Sequence, residues 1–267
     1  FIHLSYPWDL FLDLRATIEY DFNLITKGRT SQTLPSNNQV IAGDNIFLEE
    51  GAHVSCAILN AQSGPIYIGK NAQIMEGAII RGPVTIGEGS VIKMGAKIYG
   101  PAAIGPDCKI GGEVKDVVIL GHSNKAHDGY LGNSIIGEWC NLGAGTSVSN
   151  LKNNYSNVRM WDYSTRSMRD TGLQFLGLVM GDHSKAGIQS MFNTGTIVGV
   201  ASNVFGEGFP PKFVPSFSWG GSSGFITHRL DEALATAQKV MATRDIEFST
   251  EDENILRKVF ELSVMYR

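Results

Sequence analysis

The residues best suited to chemistry lie in one polar stretch, GHSNKAHDGYLG, at positions 121–132. It contains two of the chain's six histidines, His122 and His127, five residues apart. A histidine titrates near neutral pH and therefore suits a general base, and its neutral ring nitrogens also bind zinc. Three alternatives follow from the residues alone: a catalytic base at His127, a metal bound by both histidines, or two turn residues within a repeat.

A six-residue period surrounds this polar stretch. Isoleucine recurs at every sixth position eight times without a break, and the residue four places after each of the first seven is mostly small. A helix would carry such isoleucines around its circumference, and the period of a strand is two. A solenoid of short strands joined by turns accounts for the pattern, because a large aliphatic side chain fills the core and a small one fits the corner. The isoleucines are Ile68, Ile74, Ile80, Ile86, Ile92, Ile98, Ile104 and Ile110.

The period also indicates where loops leave the solenoid. It begins at Leu48 and Val54, is interrupted before Ile68 and stops after Ile110. It resumes over residues 136–148 and again over residues 186–204. Loops carry function more often than the scaffold that positions them. The stretch with the two histidines lies at the point where the period stops.

Both ends of the chain depart from the period. Leu10, Leu14 and Ile18 have helical spacing. Near the other end, an apolar stripe and a Thr250-x-x-Glu253 capping box predict two helices that cap the solenoid. Before them, a segment rich in Pro, Gly and Ser at 208–225 predicts an ordered loop. The apolar stripe consists of Leu230, Ala233, Leu234, Ala237, Val240 and Met241.

Composition argues against several classes of protein. A net charge of −4 is not typical of a nucleic-acid-binding surface, which shows an excess of basic residues. No run of about 18 apolar residues is present, so we expect no membrane partner. The three cysteines are widely spaced and odd in number, which favours a reducing compartment over a disulfide framework. We therefore expect a cytoplasmic protein.

The hexads resemble those of hexapeptide-repeat proteins, most of which are acyltransferases that work as trimers. This resemblance implies a mainly β fold, a left-handed parallel β-helix with an N-terminal helical segment and C-terminal helices. The handedness comes from the resemblance, because the period does not supply it and left-handed crossovers are otherwise rare. We divide the chain into residues 1–40, a helical remnant or linker, 41–208, a β-helix acyltransferase domain, and 209–267, a loop and C-terminal helices.

The N-terminal segment carries a resemblance of its own. YPWDLF, at residues 6–11, is similar to the helical tail of sugar-phosphate nucleotidyltransferase domains. The Gly-rich, Arg-containing start of such a domain is absent from this sequence. We therefore expect residues 1–40 to be the end of an upstream nucleotidyltransferase domain whose active site lies outside these residues.

The metal alternative depends on a third ligand. GHSNKAHDG resembles the segment of γ-class carbonic anhydrases in which two histidines bind zinc between subunits. An open catalytic zinc site takes three protein ligands and a water. No histidine lies between His53 and His122, and residues 86–91 offer no ligand. We therefore predict no bound metal.

A longer resemblance covers residues 113–150. EVKDVVILGHSNKAHDGYLGNSIIGEWCNLGAGTSVSN is similar to the acetyltransferase half of the bifunctional bacterial enzyme that makes UDP-N-acetylglucosamine. That family has Glu-Val-Lys, then Ser-Lys-Ala-x-His-x-x-Tyr-Leu-Gly, then Asn-Ile-Gly-Ala-Gly-Thr and an Asn. Counted back from Tyr-Leu-Gly at 130–132, the family's catalytic histidine corresponds to His127.

The resemblance implies a role for each polar residue. Acetyl transfer from a thioester to an amino sugar needs a base for the proton released on attack and donors for the developing oxyanion. His127 would be the base, and Glu113 would orient or polarise its imidazole. The amino-sugar phosphate would be bound by Lys115, Tyr130, Asn141 and Asn150. The co-substrate acetyl-CoA would be bound by the backbone N–H of Ala144, and by Ile188 and Gly206.

The sequence departs from the family's pattern in three places. Where the family has a phosphate-binding arginine, the hexad alignment puts Tyr99, with Lys97 nearby, and both are candidate substrate-binding residues. Ile188 replaces a serine that contacts the coenzyme. An insertion over residues 150–177 replaces a shorter connection. The sequence therefore predicts the reaction, acetyl transfer, more specifically than it predicts which sugar phosphate is the substrate.

Three functions from different classes are consistent with these observations. The first is an acetyl-CoA-dependent N-acetyltransferase acting on an amino-sugar 1-phosphate such as glucosamine 1-phosphate, within a bifunctional enzyme of nucleotide-sugar synthesis. The second is a non-catalytic trimerisation or regulatory module of a sugar nucleotidyltransferase, and the third is a metalloenzyme similar to the carbonic anhydrases. The polar residues at 113–150 favour the first, because a spacer could continue its isoleucine period. We expect a homotrimer, because clefts in this family join residues of two subunits.

Overall fold

The computed structural model describes residues 3–267 and confirms a mainly β fold of short parallel strands stacked turn upon turn. The chain divides between Ile136 and Gly137 into two compact units, each containing part of the β-solenoid. The left-handed sense of the solenoid stays a prediction from the resemblance.

Strands of the first unit lie on three faces, and each pairs in parallel with the strand one turn away. The first face consists of Gln39–Ile41, Ile58–Asn60, Ile79–Arg81 and the beginnings of three longer strands, Lys97–Ile104, Glu113–Ile119 and Tyr130–Ile136. The second face consists of Ile46–Leu48, Ile66–Ile68, Val84–Ile86 and the ends of the same longer strands. The third face consists of His53–Val54, Gln73–Ile74, Val91–Ile92, Lys109–Ile110 and Asn124–Lys125.

The predicted isoleucine period lines the interior of this unit. All eight isoleucines from Ile68 to Ile110 are at most 2% exposed. The small residues four places later, from Ala72 to Cys108, are 0% exposed. Since side chains alternate between the two sides of a strand, the inward residue of each turn stacks on that of the next. Each fully buried aliphatic side chain contributes about 1.5–3 kcal/mol, so the repeated interior stabilises the solenoid along its length.

Two helices cover the outer side of the second face. They are α1, Asp9–Leu12, and α2, Leu14–Thr26, and they contact the three longer strands. Leu14 and Ile18 are buried, as their spacing predicts, but Leu10 is 37% exposed. The helix is interrupted at Asp13, so the stripe is not continuous through Leu10. The outward residues of this face in the three longer strands are apolar and in register: Ala103, Val118 and Ile135.

The second unit continues with shorter strands and an inserted hairpin. Its parallel strands are Asn141–Leu142, Ser147–Val148, Leu178–Met180, Lys185–Ala186, Met191–Phe192, Thr196–Val198, Asn203–Val204 and Phe213–Val214. The insertion over residues 150–177 contains an antiparallel hairpin of Arg159–Asp162 and Ser167–Asp170. A second antiparallel pair, Ser218–Gly221 and Gly224–Thr227, follows.

Parallel pairing runs on beyond residue 208, where the sequence predicts a loop. Phe213–Val214 pairs with residues 197–198, and Ser218–Gly221 pairs with residues 203–204. The three prolines at 210, 211 and 215 lie outside these strands, and proline lacks the N–H that strand pairing requires. The segment at 208–225 therefore forms short paired strands between its prolines, although its composition is typical of loops.

The two C-terminal helices pack on the last turns of the second unit. They are α3, Leu230–Ala242, and α4, Thr250–Leu262. The predicted stripe of α3 is buried at Ala233, Leu234, Ala237 and Met241. Together with Leu256 of α4, most of this stripe forms an apolar cluster against Ala201 and Phe217.

The capping box of α4 lies one residue earlier than predicted. Ser249 is the N-cap, its hydroxyl accepts from the Asp252 N–H, and the Asp252 side chain accepts from the Ser249 N–H. The prediction of Thr250 and Glu253 was wrong because STEDE, at 249–253, contains two overlapping Ser/Thr-x-x-acid patterns, and the side chains alone do not determine which one starts the helix. No helix within residues 3–267 is long and apolar enough to cross a membrane.

Candidate functional site

The first face turns polar at the longer strands. Lys97, Glu113 and Tyr130 are register neighbours and form one outward column. The same column has Ile58 and Ile79 in the two preceding turns. Parallel pairing in register thus brings together three polar residues that are 16 and 17 positions apart in the sequence.

A second outward column runs beside the first. Arg81, Tyr99 and Lys115 are register neighbours, and this column begins one turn before the first. The Lys115 ammonium lies 5.9 Å from the centre of the Tyr99 ring and 3.6 Å from the Asp116 carboxylate. Burial raises the pKa of Asp116. Tyr99, at the position of the family's arginine, is therefore flanked by an arginine and a lysine.

An open cleft lies along the first column. Its volume is about 330 Å³, at the lower end of the range of small-molecule sites. Positive and negative groups both line it, so it suits a ligand with several polar substituents. The lining residues are Lys97, Gly112, Glu113, Asp128, Gly129 and Tyr130.

Glu113 is oriented by a tyrosine of the preceding turn. The Tyr99 hydroxyl donates to Glu113 Oε1 at 2.6 Å. This hydrogen bond, then burial and the carboxylate charge, raise the pKa of Tyr99. A hydrogen bond to an ionised acceptor is stronger than a neutral one. The bond fixes one carboxylate oxygen of Glu113 and leaves Oε2 for another partner.

His127 is exposed and lies in the turn that also carries Asp128 and Gly129, two residues of the cleft. In the described residues its imidazole makes no hydrogen bond, and Glu113 bonds to Tyr99 instead. The His127 backbone carbonyl accepts from the Lys125 ammonium at 2.6 Å. The structure therefore brings together five of the predicted residues: Lys97, Tyr99, Glu113, Lys115 and Tyr130. Among the described residues, no hydrogen bond joins His127 to Glu113.

The remaining predicted residues belong to the second unit. Asn141 is exposed, and the Asn150 carbonyl accepts from the Leu176 N–H at 2.9 Å. Ala144 is half-buried, and its carbonyl accepts from the Gln189 N–H at 2.7 Å. Ile188 is 75% exposed, and Gly206 has a φ of 97°. Their roles in binding the sugar phosphate and the coenzyme stay predictions.

His122 occupies a turn and faces a carboxylate. Its φ is 60°, its side chain is 17% exposed, and its Nδ1 lies 3.5 Å from Asp107 Oδ2. Among residues 3–267, no three His, Cys, Asp or Glu side chains are grouped in a way that could hold a metal ion.

Sequence reasoning missed a second cleft, of about 200 Å³, within the second unit. The rings of His183 and Trp139 stack on one wall, with centroids 6.2 Å apart. Burial, and after it the charge of Lys185, lower the pKa of His183 to about 4. Residues of α4 close the opposite wall, and no local pattern predicts which turn a C-terminal helix will pack against. These residues are Asp252, Ile255, Leu256 and Val259.

One protein-family model matches part of the chain. Residues 65–100 match the family described as bacterial transferase hexapeptide (six repeats). The match coincides with turns in which the isoleucine period is unbroken and the strands pair in register. The chain therefore contains hexapeptide repeats of the bacterial transferase type, as the sequence predicts.

Among curated proteins, the chain is similar to the bifunctional protein GlmU of Methanocaldococcus jannaschii, with 39% identity over 87 residues, 33% of this chain and 21% of that protein. It is also similar to a bifunctional sugar-1-phosphate nucleotidylyltransferase/acetyltransferase of Sulfurisphaera tokodaii, with 33% identity over 100 residues, 36% of this chain and 24% of that protein. The resemblance to this enzyme family is thus confirmed over part of the chain. The matched region spans about a fifth to a quarter of the length of these relatives.

Solved structures with a similar fold include a UDP-N-acetylglucosamine acyltransferase from Campylobacter jejuni. It is 12% identical, with a TM-score of 0.43, and the match covers 88% of this chain and 83% of that one.

Proposed function

We propose that this protein transfers the acetyl group of acetyl-CoA to the amino group of an amino-sugar 1-phosphate, with glucosamine 1-phosphate as the candidate substrate. The observation that carries the proposal is the column of Lys97, Glu113 and Tyr130, which lines one cleft beside the turn of His127. The partial similarity to bifunctional sugar-phosphate nucleotidyltransferase/acetyltransferases supports the same reaction.

His127, in the turn beside this cleft, suits the proton transfers of the reaction. The sugar amine attacks the thioester carbonyl, and His127 accepts the proton that the amine loses. The tetrahedral intermediate then expels the coenzyme A thiolate, which takes that proton from the imidazolium. The reaction yields the N-acetyl sugar and free thiol. General base catalysis of this kind contributes roughly 10²- to 10⁴-fold to turnover.

Charged residues of the two columns suit the sugar phosphate. Lys97 and Lys115 supply positive charge for the phosphate, with Arg81 beside them. Tyr130 supplies a hydroxyl at the cleft wall. Glu113 has one oxygen held by Tyr99, so Oε2 is available for the imidazole of His127 or for a sugar hydroxyl. Ala144, Ile188 and Gly206 remain the residues that the resemblance assigns to acetyl-CoA.

A homotrimer is part of the proposal. His127 is exposed in one chain, so a neighbouring copy that covers it would give the imidazole a carboxylate or substrate partner and exclude water. Sedimentation at micromolar concentration tests this directly. A monomer under those conditions contradicts a site shared between subunits.

The decisive experiment follows thiol release from acetyl-CoA with glucosamine 1-phosphate. We expect turnover by the purified chain, and a loss of about 10²- to 10⁴-fold in His127→Ala with an unchanged circular dichroism spectrum. His122→Ala is the matched control, because it removes the other histidine of the same stretch, and it should retain activity. A chain that forms trimers but releases no thiol would favour the non-catalytic module instead.

A further inference from the structure

A lysine occupies an interior position of the solenoid where earlier turns have an aliphatic residue. On the third face, the inward residues Val54, Ile74, Ile92 and Ile110 are register neighbours, and Lys125 is next in the column. Lys125 is 3% exposed. Its methylene stem therefore continues the apolar column, and its ammonium lies inside the protein.

The corner beside this column changes at the same turns. The carbonyls of Ala57, Ala78 and Ala96 each accept a backbone N–H from the adjacent strand of the first face, and their methyl groups are buried. The next two carbonyls in this series belong to Gly112 and Gly129. Alanine is thus replaced by glycine in the two turns nearest to Lys125.

The space left by the missing methyl group of Gly112 holds the ammonium. A Cβ added to Gly112 would lie 2.8 Å from Lys125 Nζ, 2.8 Å from the Gly129 carbonyl oxygen and 2.9 Å from that of His127. Gly112 also has a φ of +71°, which disfavours other residues. Lys125, Gly112 and the carbonyl of Gly129 therefore form one arrangement, which we call the lysine seat.

The lysine seat supports the turn that carries His127. The Lys125 ammonium donates to the His127 carbonyl at 2.6 Å. The Glu113 N–H donates to the Gly129 carbonyl at 3.2 Å. Two carbonyls of one short turn are thus held, one by the buried lysine and one by the backbone of the candidate glutamate.

We expect the seat to be no better for the stability of the fold than an aliphatic residue at the same position. Burial lowers the pKa of Lys125 to about 8, opposed by the charge of Asp128. Removing an ammonium from water is costly, and an apolar residue of similar volume is often equal or better for stability. A solenoid that uses isoleucine in three preceding turns gains nothing in stability from a lysine here. Local departures of this kind are expected where a protein sacrifices stability for function.

We propose that Lys125 is a positioning residue, whose buried ammonium holds the backbone of His127 in the orientation that acyl transfer requires. The proposal rests on the proposed function for its catalytic consequence. It stands on the register column, the paired glycines and the hydrogen bond to the His127 carbonyl. Lys125 does not line the cleft and acts through the turn above it.

The test compares Lys125→Met and Lys125→Ile with the unmodified chain. Both variants should unfold at the same or a higher urea concentration. Hydrogen exchange of the backbone amides at 128–130 should become at least about tenfold faster. The kcat for acetyl transfer should fall about 10- to 100-fold, with the KM for acetyl-CoA nearly unchanged. Lys109→Met is the matched control, because Lys109 is exposed on the neighbouring strand, and all three measurements should stay unchanged.

The outcomes separate this inference from the proposed function. An unmodified chain without acetyltransferase activity defeats the proposed function, but the exchange measurement still tests the lysine seat. Unchanged exchange at residues 128–130 in Lys125→Met overturns the inference. It is equally overturned if both variants lose stability, because Lys125 would then be a structural residue.

Discussion

The turns from Ile46 to Ala96 and the turns from Lys97 to Ile136 differ on the inside and on the outside of the same solenoid. In the earlier turns, aliphatic residues stack inside, and the outward column of the first face contains Ile58 and Ile79. In the later strands, lysine enters the interior, glycine replaces alanine at the corner, and charged residues appear outside. A change outside alone is common on any surface. A simultaneous change inside indicates that the packing has been adapted to a site.

A tyrosine–glutamate pair occurs in both regions and sharpens the contrast. Tyr67 donates to Glu49 at 2.5 Å in an early turn, where Arg29 also binds the carboxylate at 2.6 Å. Tyr99 donates to Glu113 at 2.6 Å in the later strands, and Glu113 lines the cleft. The early pair is a closed ion-pair network, whereas the later one leaves a carboxylate oxygen available to a ligand.

The largest effect is expected from moving a buried lysine to a regular turn. Ile92→Lys places an ammonium in the same interior column, where the corner residue is Ala96 and no seat exists. A buried, unpaired charge should lower the free energy of unfolding by about 3–5 kcal/mol. Urea denaturation measures this, with Ile92→Met as the control, which should lose less than about 1.5 kcal/mol. Equal stability of the two variants would show that the seat at Lys125 is not special.

An intermediate effect is expected at the paired tyrosines. Tyr99→Phe removes the hydrogen bond to the Glu113 carboxylate and should lower kcat/KM for acetyl transfer about 10-fold, since a hydrogen bond to a charged group contributes about 1.5–3 kcal/mol. Tyr67→Phe removes the corresponding bond in the early turn and should leave kcat/KM unchanged. The assay is thiol release under identical conditions. Equal losses in the two variants would remove the functional distinction between the regions.

The smallest effect concerns His183, a half-buried basic ring of the second unit. Burial lowers its pKa to about 4, so below about pH 6.5 the unfolded chain binds a proton that the folded chain does not. The free energy of unfolding should therefore fall as the pH is lowered from 6.5 to 4. At pH 5 the loss should be about 1 kcal/mol, because the ring is partly exposed.

His183→Gln should lack this part of the pH dependence. Thermal denaturation of both proteins at pH 7.5 and pH 5 provides the comparison. A stability difference between them that is the same at the two pH values would show that His183 does not titrate in this window.

The sequence by itself determined the fold class, the buried isoleucines and the stripe of α3. It did so because a constant spacing repeats the same inward and outward pattern at every turn. The candidate site was partly predictable for the same reason: the register that stacks isoleucines also aligns Lys97, Glu113 and Tyr130.

Tertiary structure decided the partners of the site residues and the inward position of Lys125. The connection between the strands that end at Ile110 and begin at Glu113 is shorter than the corresponding connections before it. The six-residue period therefore no longer predicts which later residue points inward. Pairing of Lys125 with Ile110 decides that, and a lysine within a polar stretch gives no local sign of it. The Tyr99–Glu113 bond and the packing of α4 likewise depend on contacts between residues far apart in the sequence, which local spacing does not contain.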